Sequence, residues 1–153
     1  YQAQNMPALR MDPLALLKGT QTPEQIWEFI ETHTDEQHAV LVYSSDTPEM
    51  VRRAQELGRE KIASMLEQLS ARLAEKAVEH GFTRIICAGG ETSAAITKGL
   101  HLSSYEIGES IAPGVPVMIP ALRPDIRLVL KSGNFGQEDF FGRALSMTGQ
   151  NSY

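Results

Sequence analysis

Apolar positions along this chain fall into short continuous runs and longer periodic stretches, which predict strands and helices in alternation. The runs AVLVY at 39–43 and IICA at 85–88 are typical of buried strands. Between them, apolar residues recur at steps of three and four over 48–80. This spacing predicts a helical segment with one packed and one solvated face, interrupted at Gly58 and capped by Gly81. The order strand, helix, strand, helix favours parallel strands joined by right-handed crossovers.

Turn residues, cap residues and further apolar runs define the other elements. Asp12-Pro13 and Thr22-Pro23 are helix openings, the second with the Gln25 of a capping box. Pro116 confines its strand to a sheet edge or to a strand start. The predicted elements are a strand within 6–11, helices at 13–17 and from 22 onward, an edge strand at 104–107, a turn and strand within 111–121, a strand at 127–131 and a helix at 138–147. Together they predict an α/β fold, with a single three-layer domain and a mostly parallel sheet carrying helices on both faces.

Composition and charge narrow the class of protein. The length of 153 residues suits one domain with its own core. The net charge of -5 argues against a surface built for generic binding to nucleic acid or anionic membranes. No stretch approaches the roughly 20 apolar residues of a membrane span, and the N-terminus lacks the order of a secretory signal. We therefore expect a soluble, cytoplasmic protein. Because the sequence begins with Tyr1 and not with an initiator Met, we also expect it to continue a longer chain.

Several residues that often carry chemistry are better explained as structural. Cys87 lies in an apolar run, which favours a buried structural thiol over a nucleophile. The four histidines are spaced unlike a zinc site and one cysteine cannot form a thiolate cluster, so we predict no metal-binding residues. No GxSxG motif is present, and the catalytic residues stay unknown. We expect Trp27 in the core, whereas the segment 44–48 suits ligand contact and helix capping equally.

Two glycine loops of similar composition are the strongest candidates for a binding site. GGETS at 89–93 and KSGNFG at 131–136 each follow an apolar strand and lead into a helix. Ligands of open parallel sheets bind beyond the carboxyl ends of the strands, so we expect both loops to face one ligand. Helix N-termini bind phosphate or carboxylate, and glycines allow close approach of the backbone. The predicted contacts are the backbone N–H groups of Gly89, Gly90, Gly133 and Gly136 and the hydroxyl groups of Thr92 and Ser93, which are also predicted to cap the helix.

Two charged residues in these loops have alternative roles. Lys131 provides a point charge to a phosphate or, equally well, pairs with a carboxylate at the end of its strand. Glu91 either holds Mg²⁺ through water or favours the helix N-terminus, and the second role is preferred. Neither loop has a Walker A or GxGxxG sequence. From the residues alone, the two loops predict an anion site of undefined ligand.

The pairing of AGGETS with LKSGNFG and DFF resembles the C-terminal nucleotide-binding domain of the four-carbon acid sugar kinases. The resemblance extends over most of the chain and includes PALRMDPLALL, VLVYSS and IGESIAPGVPVM. It implies that the glycine loops grip ATP, with Mg²⁺, for phosphoryl transfer to a four-carbon sugar acid of the 3-oxo-tetronate or threonate class. Its motifs carry over nucleotide contacts to Gly89, Gly90, Glu91, Thr92 and Gly133, and by proximity to Ser93, Lys131, Asn134 and Gly136.

That family also has an N-terminal domain with most of the acid-sugar site, and the sequence does not contain it. Phosphoryl transfer depends mostly on positioning and charge neutralisation, so this chain alone is expected to bind nucleotide weakly and phosphorylate nothing. Its expected partners are ATP and, through the missing domain, the sugar acid, rather than nucleic acid or membrane. The alternative is a non-catalytic module that binds or senses a nucleotide or sugar phosphate.

Overall fold

The computed structural model describes residues 6–35, 38–45, 47–56, 58–132 and 138–149, without the side chains of residues 54 and 55. The chain divides into two compact units, 1–69 and 70–153. The single-domain interpretation stays a prediction. The elements are β1 (Ala8–Arg10), α1 (Pro13–Lys18), α2 (Pro23–His33), β2 (Leu41–Tyr43), α3 (Pro48–Glu56), α4 (Arg59–Glu79), β3 (Arg84–Ala88), α5 (Gly90–Gly99), β4 (Tyr105–Ala112), β5 (Val115–Pro120), β6 (Arg127–Lys131) and α6 (Phe140–Met147).

In the first unit, side chains cap the helices that the sequence predicts. Asp12 accepts hydrogen bonds from the N–H groups of Leu14 and Ala15 at 2.9 and 3.2 Å, and so opens α1. Thr22 and Gln25 form the reciprocal capping box of α2. These local signals are confirmed because a cap depends only on residues within one turn of it.

Strands β1 and β2 of this unit pair in parallel, with Ala8 opposite Leu41 and Arg10 opposite Tyr43. The amide of Gln21 donates to the carbonyl of Arg10 at 2.9 Å and accepts from the N–H of Asp12 at 2.8 Å. The sequence pattern does not predict these two hydrogen bonds, which join the end of β1 to Gln21, just before α2.

Breaks and packing in the first unit also follow the sequence. Gly58 has a φ of 107° and separates α3 from α4, as predicted. Trp27 is 5% exposed, which confirms it as a core residue. In the segment 44–48, the Thr47 hydroxyl accepts from the N–H of Met50 at 3.4 Å, which supports the capping role, while Asp46 lies outside the described residues.

The second unit contains a four-stranded sheet of order β3-β6-β5-β4. Strands β3 and β6 are parallel, whereas β5 runs antiparallel to both β6 and β4. The expected mostly parallel sheet is therefore partly wrong, since this sheet is mixed. The cause is the two-residue turn at Pro113-Gly114, where Gly114 has a φ of 76°, because so short a connection joins only antiparallel strands.

The order of strands in this sheet tests the predictions about its edge strand and about Pro116. Strand β4 is at the edge, as predicted. Strand β5 is internal, but Pro116 is its second residue and precedes Val117 and Met118, which pair with β6. The strand-start role of Pro116 is therefore the correct one, because its missing N–H lies outside that pairing.

Helices cover both faces of the four-stranded sheet. One face packs on α6, with a buried cluster of Ile111, Val115, Val117, Val129, Phe140 and Ala144. The other face packs on α5 and on the C-terminal half of α4, with a cluster of Ala74, Cys87, Ile96 and Leu128. The predicted three-layer arrangement is confirmed for this unit.

Candidate functional site

The two predicted loops begin side by side at the carboxyl ends of β3 and β6. Parallel pairing runs in register to the last residue of each strand, where Ala88 is opposite Lys131. The N–H of Gly89 then donates to the carbonyl of Lys131 at 2.7 Å. The structure therefore brings together the described parts of both loops, as the sequence predicts.

Gly89 is the N-cap of α5 and adopts a conformation that requires glycine. Its φ of 115° lies in a region of backbone conformation that residues with a Cβ rarely adopt. Its carbonyl accepts from the N–H of Ser93 at 2.9 Å, which forms the first hydrogen bond of the helix. Its own N–H donates to the carbonyl of Lys131, and contact of Gly89 with a ligand stays a prediction.

Gly90 is exposed and begins α5. A Cβ added there would lie 3.9 Å from the Cβ of Ser132, which measures how closely the two loops approach. The N–H groups of the first three helical residues, at 90–92, lack an intrahelical acceptor. Within the described parts of the chain, no other group accepts from them. These three N–H groups can therefore bind an anion without breaking an existing hydrogen bond.

Thr92 and Ser93 lie inside α5, so the prediction that they cap it is wrong. They are its third and fourth residues, because Gly89 takes the cap position and the helix begins directly after it. Thr92 leans over that glycine, with its Oγ1 3.6 Å from a Cβ placed there. Ser93 is 7% exposed, and its hydroxyl has no hydrogen-bond partner among the described residues. A buried hydroxyl without a partner is destabilising unless a ligand or water reaches it.

Lys131 lies on the other face of the sheet from α5. Side chains alternate along β6, with Leu130 in the cluster beneath α5 and Val129 in the cluster beneath α6. Lys131 follows on the α6 side, and its Nζ is 5.8 Å from the centroid of the Phe140 ring. Among the described residues, Ser132 and Phe140 are neighbours of the site that the sequence pattern did not assign, although they lie in the KSGNFG and DFF motifs.

The structure describes some of the remaining residues near the predicted site and not others. Gly133, Asn134 and Gly136 lie outside the described residues, so their roles stay predictions. Glu91 is exposed in the first turn of α5, where a carboxylate favours the helix dipole. Asp139 is exposed at the start of α6, and its side chain makes no capping hydrogen bond to that helix.

The structure also bears on the cysteine, on possible metal ligands and on membrane-spanning helices. Burial raises the pKa of the Cys87 thiol to about 12, so it stays protonated at neutral pH and is a core residue, as predicted. In the part of the chain that the structure describes, no three His, Cys, Asp or Glu side chains are grouped as metal ligands. Over the same part, no helix has the length and apolar character needed to cross a membrane.

Comparison with known proteins identifies the kind of domain. Residues 1–141 match the model of a family described as the nucleotide-binding C-terminal domain. The chain belongs to this family. The predicted resemblance to the C-terminal nucleotide-binding domain of the four-carbon acid sugar kinases is thereby confirmed.

Several relatives of this chain are named 3-oxo-tetronate kinase. The chain is 40% identical to a 3-oxo-tetronate kinase of Cupriavidus necator over 95% of its length, and 41% identical to one of Pseudomonas fluorescens over 91%. It spans about a third of each relative, 33% and 32%. A crystal structure of a Haemophilus influenzae protein has a TM-score of 0.87 at 34% identity, and covers 95% of this chain and 36% of that one.

Proposed function

We propose that this chain is the ATP-binding part of a kinase that transfers the γ-phosphoryl group of ATP to a four-carbon sugar acid of the 3-oxo-tetronate or threonate class. The supporting observation is the junction of β3 and β6, where three N–H groups at the start of α5 have no acceptor among the described residues and lie beside Lys131 and Ser132, the described beginning of the second loop. The names of the relatives support the acceptor class.

The start of α5 suits the phosphates of a nucleotide. The N–H groups of Gly90, Glu91 and Thr92 would donate to phosphate oxygens, and the helix dipole would favour their charge. The absence of a Cβ at Gly90 leaves room for this approach. The Ser93 hydroxyl and the Lys131 ammonium would add a donor and a charge, and the loop residues Gly133, Asn134 and Gly136 would complete the contacts.

Glu91 is the residue that best suits a nucleotide-bound Mg²⁺. In kinases this ion is held mainly by phosphate oxygens and water, with one or two carboxylates, so a single exposed carboxylate beside the phosphates fits. The ion would neutralise charge that develops on the transferred phosphoryl group. Glu91 would take this role through water while it stays in the first turn of α5.

The acceptor would be held outside the part of the relatives that this chain spans. Effective transfer requires the acceptor hydroxyl in line with the γ-phosphate and the exclusion of water. Since the chain corresponds to about a third of each relative, we expect it to bind nucleotide without transferring phosphate. We also expect a cytoplasmic protein with no nucleic-acid or membrane partner.

Nucleotide binding is tested by isothermal titration calorimetry of the 153-residue chain with ATP, ADP and AMP in the presence of Mg²⁺. Gly90→Val leaves the backbone unstrained, because no positive φ is required there and the nearest atom is 3.9 Å from the added Cβ. We expect a loss of ATP affinity of about 30-fold or more as the side chain covers the N–H groups. Gly142→Val is the matched control, since that helical glycine has open space around it.

Unchanged ATP affinity in Gly90→Val would refute the assignment of this loop. The transfer reaction is tested in a chimera in which this chain replaces the matching third of the Cupriavidus necator relative, with four-carbon sugar acids as acceptors and ADP release as the readout. ATP binding by the chain together with a folded but inactive chimera would instead favour the non-catalytic sensor module.

A further inference from the structure

The ammonium of Lys131 lies over a buried aromatic ring at the edge of the proposed site. The distance of 5.8 Å from Nζ to the Phe140 centroid is within the range of cation–π attraction. Unlike a carboxylate, a ring attracts the ammonium without cancelling its charge. The contact with the ring therefore does not itself prevent the ammonium from attracting a ligand phosphate.

The ring of Phe140 is fixed by its surroundings. Phe140 is 4% exposed and packs with Val129 and Ala144 in the cluster beneath α6. Phe141 meets it edge to face, with centroids 5.6 Å apart and an angle of 72° between the rings. A ring held in this way is a rigid support for a flexible lysine side chain.

Lys131 also connects both loops through its backbone. Its carbonyl accepts from the N–H of Gly89 at 2.7 Å, which fixes the turn that opens α5. Its side chain extends on the α6 face, where α6 begins with Phe140. One residue therefore links the start of α5, the end of β6 and the start of α6.

We infer that Phe140 is a positioning residue, whose ring holds the Lys131 ammonium at the carboxyl end of β6 so that it binds a phosphate group of the nucleotide. This inference rests on the proposed function and deepens it. It assigns to the DFF motif a role in ligand binding in addition to its place in the core.

The test is a double-mutant cycle with ATP, ADP and AMP affinities measured by calorimetry on the 153-residue chain. Phe140→Leu keeps an apolar side chain and removes the ring, and should weaken ATP binding by about 3- to 30-fold. In the Lys131→Met background the same change should have no further effect. The loss should be larger for ATP than for AMP, and Phe140→Tyr should restore affinity because it keeps the aromatic face.

Controls separate positioning from stability. Val117→Ala removes buried atoms from the same cluster but keeps the Phe140 ring, and should lower the unfolding midpoint while ATP affinity stays within twofold. If Phe140→Leu does not fold, NMR of the unmodified chain still decides. The Cε protons of Lys131 should be shifted upfield by the ring current, and normal shifts would overturn the inference.

Two outcomes distinguish this inference from the proposed function. Equal losses from Phe140→Leu in the Lys131 and Lys131→Met backgrounds would mean a structural role only. If Gly90→Val abolishes ATP binding and Phe140→Leu does not change it, the inference fails while the nucleotide site stands. If neither variant affects affinity, the proposed site itself fails.

Discussion

Two pairs of parallel strands in this molecule end in opposite ways. At the ends of β1 and β2, side chains complete the backbone hydrogen bonds: Asp12 opens α1, Gln21 clamps the end of β1, and Thr47 opens α3. At the ends of β3 and β6, the cap position of α5 is a glycine, which has no side chain that could bond to the helix. Completed caps stabilise a helix, whereas an uncapped glycine end leaves donors for a ligand.

The difference also separates local from distant partners. The caps of α1 and α2 bond within three residues of themselves, so they form as the helix forms. Gly89 bonds instead to Lys131 on a neighbouring strand, so this turn depends on the sheet. The turn at the end of β3 is therefore held by Lys131 of the neighbouring strand, and no side chain of the cap residue bonds to the first N–H groups of α5.

The largest expected effect comes from Gly89→Ala. A Cβ at a φ of 115° strains the backbone, so we expect the free energy of unfolding to fall by about 1–3 kcal/mol. ATP binding should be lost, because the turn that presents the first N–H groups of α5 is distorted. Urea denaturation and calorimetry measure the two effects.

Gly114→Ala provides the comparison for that variant. Gly114 also has a positive φ, with open space around it, and lies in the turn between β4 and β5. We expect a loss of about 1 kcal/mol in stability from the left-handed conformation and unchanged ATP affinity. Equal losses of ATP binding in both variants would show that strain anywhere in this unit affects the site, and the comparison between the strand ends would fail.

The sequence predicts the local features of both strand ends and misses the long-range ones. Asp12, Thr22 and Gly81 signal helix ends through residues a turn away, and all three function as expected. The short turn at Pro113-Gly114 signals locally that β4 and β5 are antiparallel, whereas the pairing of β5 with β6 joins strands from separate parts of the sequence, and no local pattern predicts it.

The candidate site shows the same limit. The sequence predicts correctly that the described beginnings of the two loops lie together, since parallel strands end on one edge of the sheet. The predicted cap of α5 is misplaced, because the residue type glycine does not tell whether Gly89 has a positive φ or an ordinary one. The sequence does not predict the contact between the Lys131 ammonium and the Phe140 ring, because this contact depends on the packing of α6 against the sheet.

Ser93→Ala should produce a smaller effect with opposite signs on stability and binding. The substitution removes a buried hydroxyl that has no partner within the described residues, and alanine favours the helix, so stability of the ligand-free chain should rise by about 1 kcal/mol. ATP affinity should fall by about tenfold if the hydroxyl donates to the ligand. Ser93→Cys, which keeps a similar volume with a weaker donor, should lie between the two. A gain in stability with unchanged affinity would remove Ser93 from the site.

The smallest expected effect comes from Asp12→Ala, which leaves the start of α1 without its cap. Its carboxylate serves two N–H groups and lies 3.5 Å from the partly exposed Arg10 guanidinium. We expect stability to fall by about 1 kcal/mol, mostly from the lost cap, because a pair so exposed contributes little. Asp12→Asn keeps an oxygen acceptor and should restore most of the stability, which separates capping from charge. ATP affinity should stay within twofold in both variants. A tenfold loss of affinity on Asp12→Ala would mean that this capped strand end also serves the ligand, and that completed caps do not distinguish structural ends from binding ends in this protein.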